Sequence, residues 1–276
     1  MKKRRKRTIR PVFKFILFLL FIFMAAYFLS GNSSPNSQDD KSQKVNGYVA
    51  NDTKTSISDQ FNSDGEASTW ERIGRIAFIQ QAVDNKRRSS NYVALDDIPV
   101  NVRQAIVAVE DSRYFSHHGF DVEGIMRASL VNLQKGEIEE GASTITQQLV
   151  KNLFLNGERT FSRKIEELLL ALDMEAHYSK DEILELYLNT IYFGSGYYGI
   201  RDAAEGYFGK EPNNLNLAEA SMIAGLPNAP SLYSPYVDFL MAKKRQFIVL
   251  DAMVNSGYIT KAQSDDAKIK PLYLAH

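Results

Sequence analysis

No proline interrupts the chain between Pro99 and Pro212, and β-branched alternation is scarce across that stretch. A sheet protein would punctuate so long a run with turns, so the segment must fold as helices. Val102, Ala105, Ile106 and Val109 fall at i, i+3, i+4 and i+7, which predicts a buried helical stripe ending near Glu110. Ile165, Leu168, Leu169, Leu172 and Ala176 repeat that spacing and predict a second core-facing stripe. Helix starts are marked by capping boxes, a hydroxyl or amide residue followed three positions later by Glu or Gln. They occur at Ser68 to Glu71, Ser179 to Glu182, Asn216 to Glu219 and Thr260 to Gln263. The fold class expected is all-α.

The chain has 276 residues with 33 basic and 33 acidic side chains, yet its charge is unevenly spread. Eight of the bases precede Asp39 with no acid among them, leaving 25 bases against 33 acids in the remainder. An acidic main body argues against nucleic acid as a partner, because phosphate neutralisation needs clustered cations. There is no cysteine, hence no disulfide and no thiolate metal site.

Residues 1–11 form a basic tail, and the apolar run that follows over 12–30 is interrupted by only one charge, Lys14. Its core of eighteen residues would span about 27 Å as a helix, enough for a bilayer's hydrocarbon layer. Positive flanks stay cytoplasmic, so the expectation is a single-pass bacterial cell-membrane protein with its N-terminus inside and the rest outside. A cleaved signal peptide is the competing reading, but no small-residue pair suited to cleavage lies within Ala25 to Gly31. Residues 31–67 are rich in Ser, Asn, Asp and Gln and read as a flexible linker. A folded domain is expected over 68–276.

Several clusters there could carry chemistry. Glu110 and Asp111 lie with Arg113, His117 and His118 at the end of an apolar stripe. Burial would raise a carboxylate's pKa toward that of a useful base, whereas a solvated helix end with Arg113 as counter-ion is the plainer alternative. Gly141 to Gln148 reads as a polar loop whose hydroxyls and carboxamides suit a sugar. Lys151, Arg159, Arg163 and Lys164 gather positive charge suited to a pyrophosphate, or else line a charged helix face. Gly194-Ser-Gly-Tyr-Tyr-Gly199 matches a dinucleotide fingerprint literally, but it follows a helical segment rather than a strand. A tight turn with positive φ fits those glycines better.

Taken together, the motifs resemble the peptidoglycan glycosyltransferases of family 51, in particular their monofunctional, membrane-anchored type. Core motifs span residues 92–236. In order they are Glu110-Asp111 with Tyr114, His117 and Gly119; Gly141 to Gln148 with Lys151-Asn152; and Arg163-Lys164 with Glu167. Then come Glu185 to Asn189 through Gly194, and Glu219-Ala220 through Pro230. Tyr114 stands where Phe is usual, and Ala142 where a second Gly is usual.

The resemblance implies a lysozyme-like helical catalytic domain with a small membrane-facing jaw between Asp121 and Glu140. Ile125, Met126, Leu130, Val131 and Leu133 would touch lipid there. It implies as donor a glycan growing on a polyprenyl pyrophosphate, as acceptor lipid II, and other cell-wall synthesis proteins as partners. Glu110 would be the general base, and Glu167 would assist at the donor side through a divalent cation, Mg2+ or Mn2+, or by ordering the cations. Asp111, Ser143, Thr144, Gln147, Gln148, Lys151, Asn152, Arg159, Arg163 and Lys164 would bind substrate.

A glycan-cleaving enzyme of similar fold would need no pyrophosphate cluster, and a non-catalytic helical scaffold would need no acid at 110. A transpeptidase is not expected, since no Ser-x-x-Lys occurs and about forty residues follow Pro235.

Overall fold

The computed structural model describes residues 79–87, 89–135, 143–155 and 161–275. Eleven α-helices lie among them: α1 (Ile79–Arg87), α2 (Val100–Glu110), α3 (Val122–Lys135), α4 (Ile145–Phe154), α5 (Phe161–His177) and α6 (Lys180–Leu188); then α7 (Ile200–Phe208), α8 (Leu217–Ala224), α9 (Pro230–Tyr233), α10 (Phe239–Asn255) and α11 (Lys261–Ile269). No strand occurs among the described residues, only the isolated bridges His118 to Phe120 and Tyr192 to Tyr198. The all-α expectation is borne out. The capping box at Ser68, the basic tail and the apolar run of 12–30 lie outside the described residues. No described helix is long and apolar enough to cross a membrane.

Three packed helices, α2, α8 and α10, form the centre of the domain. All residues of α8 from Ala218 to Ala224 are buried, three of them alanines, which lets the other two helices approach closely. Gln246 of α10, fully buried, donates to the Ala218 carbonyl at 2.7 Å and ties the two helices together. A second group joins α4 to α5 and α6. Asn189 and Glu185, at the end of α6, bind the incoming segment: Asn189 pairs with both backbone groups of Val93 at 2.8 Å, and Glu185 accepts from Tyr92 and from the Leu95 amide.

The capping boxes at Ser179, Asn216 and Thr260 all form. A fourth, at Thr144 with Gln147, opens α4. It corrects the loop expected over Gly141 to Gln148: from Ile145 onward that segment is helix. The stripe on α5 is corrected as well. Ile165, Leu169 and Leu172 are exposed, while Glu167, Leu170, Ala171 and Met174 face inward. Apolar residues encircle this helix, so periodicity alone does not choose the inner face. Gly194, Ser195, Gly196 and Gly199 all take positive φ in the turn before α7, as the fingerprint's rejection requires. On α3, Ile125 and Met126 are exposed; the side chains of Leu130, Val131 and Leu133 lie outside the described residues.

Candidate active site

Glu110 is the last residue of α2, and its side chain is only 6% exposed. Its Oε2 accepts a hydrogen bond from Gln148 Nε2 at 2.9 Å. The Gln148 Oε1 accepts in turn from the Tyr187 hydroxyl at 3.0 Å. Tyr187 is fully buried, and its pKa is raised well above the ordinary value by burial, so it stays a donor. Its bond decides which way the Gln148 amide points, and therefore that Glu110 receives an N–H. Glu110 Oε1 is buried and accepts no hydrogen bond; the Arg245 Nη2 lies 3.7 Å from it, beyond hydrogen-bond range. Burial raises the Glu110 pKa, and the charge of Asp111 adds to that; Gln148, Arg245 and Lys151 oppose it. Arg113 is not the counter-ion, because it binds Asp121 and Glu123 instead.

Asp111 is buried and faces away from solvent. His117 Nε2 lies 2.9 and 3.0 Å from its two oxygens, and the Ile145 amide donates to it at 3.0 Å. A carboxylate on the first amide of α4 favours that helix end electrostatically. It also fixes where α4 starts, and Gln148 sits one turn further along. Thr144 and Gln147, expected on sugar, are committed to the capping box, and Thr144 Oγ1 also donates to the Gly119 carbonyl at 2.7 Å. Gly119 itself, with φ of 81°, lies so close to α5 that a Cβ would meet the Ala171 carbonyl oxygen at 3.0 Å.

The cations expected from sequence lie on α4 and α5, and Lys151 is the one among them whose charge acts on Glu110. Lys151 and Asn152 are exposed on α4; Arg163, half-buried, and Lys164, exposed, sit in the first turn of α5. That turn carries no acid. Cations there oppose the helix dipole, an arrangement that an arriving anion would relieve. Lys164 bonds the buried Glu167 carboxylate, one turn on, and also reaches Ser143 Oγ at 3.5 Å. Arg159 lies outside the described residues. Glu167 Oε1 is held by the Lys164 ammonium, and no cluster of three His, Asp or Glu that could hold a metal ion occurs among the described residues.

Arg245 was not among the residues expected from sequence. It lies in the run Lys243-Lys244-Arg245, which reads as a solvated helix face, and only the packing of α10 on α2 brings it to Glu110. The run of three cations carries no signal that separates its third member.

The transglycosylase family model matches residues 76–254, a span that includes every residue described around Glu110. Penicillin-binding protein 1A of Aquifex aeolicus is 50% identical over 181 residues, 66% of this chain and 25% of that protein. Its counterpart in Escherichia coli is 49% identical over 180 residues, 65% of this chain and 21% of that protein. A protein of Cupriavidus necator that carries the provisional name transglycosylase is 44% identical over 188 residues, covering 68% of this chain and 81% of its own length. The chain thus spans about a quarter of the penicillin-binding proteins it matches.

Proposed function

The chain belongs to the transglycosylase family, and from that premise we propose that it is a peptidoglycan glycosyltransferase polymerising lipid II. The observation that carries the reading is Glu110, a buried carboxylate at the end of α2 with raised proton affinity, one oxygen held by Gln148 and the exposed Lys151 among the charges that act on it. In the reaction the 4-hydroxyl of the acceptor sugar gives its proton to Glu110. Its oxygen bonds to the anomeric carbon of the donor as that carbon's bond to pyrophosphate breaks, with inversion to a β-1,4 link. The departing electron pair stays on the pyrophosphate, where Lys151, Arg163 and Lys164 stabilise it electrostatically. Ser143, which accepts from Lys164, and Asn152 are exposed near opposite ends of α4, and the family resemblance suggests that they take sugar or phosphate oxygens.

The membrane context belongs to the same proposal. The basic tail and apolar run of 12–30 support a tether with its N-terminus cytoplasmic and the catalytic domain outside, near its lipid-borne substrate. The absence of Ser-x-x-Lys from these 276 residues supports polymerisation without cross-linking. The test is a gel of glycan products made by the purified full chain from lipid II, with Glu110→Gln alongside. The parent should yield long products and the variant almost none; polymer from E110Q at the parental rate would overturn the assignment.

A further inference from the structure

Glu110 has two oxygens in unlike surroundings, and the difference is imposed by helices far apart in sequence. Tyr187 on α6 orients Gln148 on α4, which occupies Oε2. Arg245 on α10 faces Oε1 without bonding it. The guanidinium is held in that position by two contacts. Its Nε donates to the Gly225 carbonyl at 3.3 Å, and its Cζ stands 5.6 Å from the centroid of the Tyr233 ring. Gly225 leaves room for the stem: a Cβ there would lie 2.8 Å from Arg245 Cγ.

A buried carboxylate oxygen without a donor is costly, and a cation 3.7 Å away would ordinarily close up to a hydrogen bond. Here the tether to Gly225 keeps it back. We propose, resting on the polymerase reading, that Arg245 is a positioning residue: held by Gly225 and Tyr233 against the Glu110 carboxylate, it keeps that carboxylate ionised and ready to receive the acceptor's hydroxyl proton. Removal of the cation would let the buried acid take up a proton before substrate arrives.

Other charges around Glu110 are accounted for. Asp111 beside it opposes ionisation, and Lys151 from α4 favours it. Tyr187 from α6 stays neutral. Glu219, the acid of α8, is turned to Lys210 and to the Asn216 amide. Arg245 is the cation that approaches Oε1 itself.

The experiment measures initial polymerisation rates of the full chain at low lipid II concentration, from acid to alkaline pH, for the parent, Arg245→Gln, Arg245→Lys and Glu110→Gln. The acid limb of such a profile reports the base in the free enzyme. R245Q should move that limb upward by roughly one to three pH units, with most of the rate regained on the alkaline side. R245K, which keeps the charge, should restore much of the limb's position. An R245Q limb that stays in place, whatever the rate, overturns the proposal, and so does an R245K profile identical to that of R245Q. Should R245Q fail to fold, as judged by its melting curve, Gly225→Ala displaces the Arg245 stem instead and should shift the limb the same way by a smaller amount; an unmoved limb there counts against the idea equally. E110Q separates the two claims. A parent chain that makes no polymer removes the polymerase reading and an active E110Q removes Glu110 as the base, whereas an inactive E110Q with an unmoved R245Q limb removes only the role of Arg245.

Discussion

Glu110 and Glu167 are almost equally hidden, with side chains 6% and 4% exposed, yet their surroundings assign them different work. Glu167 is met within its own helix by the Lys164 ammonium, a full charge in direct contact. Glu110 is met by a neutral amide on one oxygen and by a guanidinium held at a distance from the other. Burial by itself therefore does not make a base. What differs is the partner, and of these two glutamates Glu110 alone has a buried oxygen without a hydrogen bond. Glu167 instead holds Lys164 in line with Ser143, which orders a cation at the edge of the site.

That contrast can be broken by substitution. Glu110→Gln should lower polymerisation by about 10²- to 10⁴-fold, the usual worth of a general base, with the circular dichroism spectrum unchanged. Glu167→Gln should cost much less, roughly tenfold, because it loosens Lys164 rather than removing a reacting group; equal losses in the two variants would erase the distinction drawn between them.

Thr144→Ala tests the support beneath Glu110 rather than the acid itself. Losing the cap of α4 should destabilise the domain by about 0.5–2 kcal/mol, read as a lower melting temperature. A further effect concerns pH and stability. Because the folded-state pKa of Glu110 is raised, its contribution to stability is full below the unfolded value of 4.5 and is lost as pH rises through the folded value. E110Q should accordingly melt higher than the parent at neutral pH, and the gap should narrow in acid. Thermal melts of both chains over a pH series check this, and a constant or inverted gap would contradict it. The smallest expected effect is that of a chelator, which should leave the rate unchanged, since Glu167 already has its cation in Lys164.

Much of this molecule was readable from local pattern. Three expected capping boxes formed, the stripe through Val102 and Ile106 is buried, and the glycine turn at Gly194 to Gly199 has the positive φ its composition implies. Local rules failed where two meanings shared one spelling. Thr144 and Gln147 looked like sugar ligands because a capping box and a polar loop use the same residue types. Ile165, Leu169 and Leu172 looked like core because helix α5 is apolar on more than one side, and its packing on α4 and α6 chose the face that buries Glu167.

The site divides along the same line. The acid at 110, its place at a helix end and the cations at 151, 163 and 164 follow from residue identity and order, which one chain displays in full. Asp111's hold on the Ile145 amide, the Tyr187 to Gln148 relay and the approach of Arg245 join residues 34, 39 and 135 positions apart. No periodicity encodes such pairs, because they arise only when separate helices pack. Sequence determined which groups were available, and packing of α4, α6 and α10 around the end of α2 decided which oxygen of Glu110 was left open.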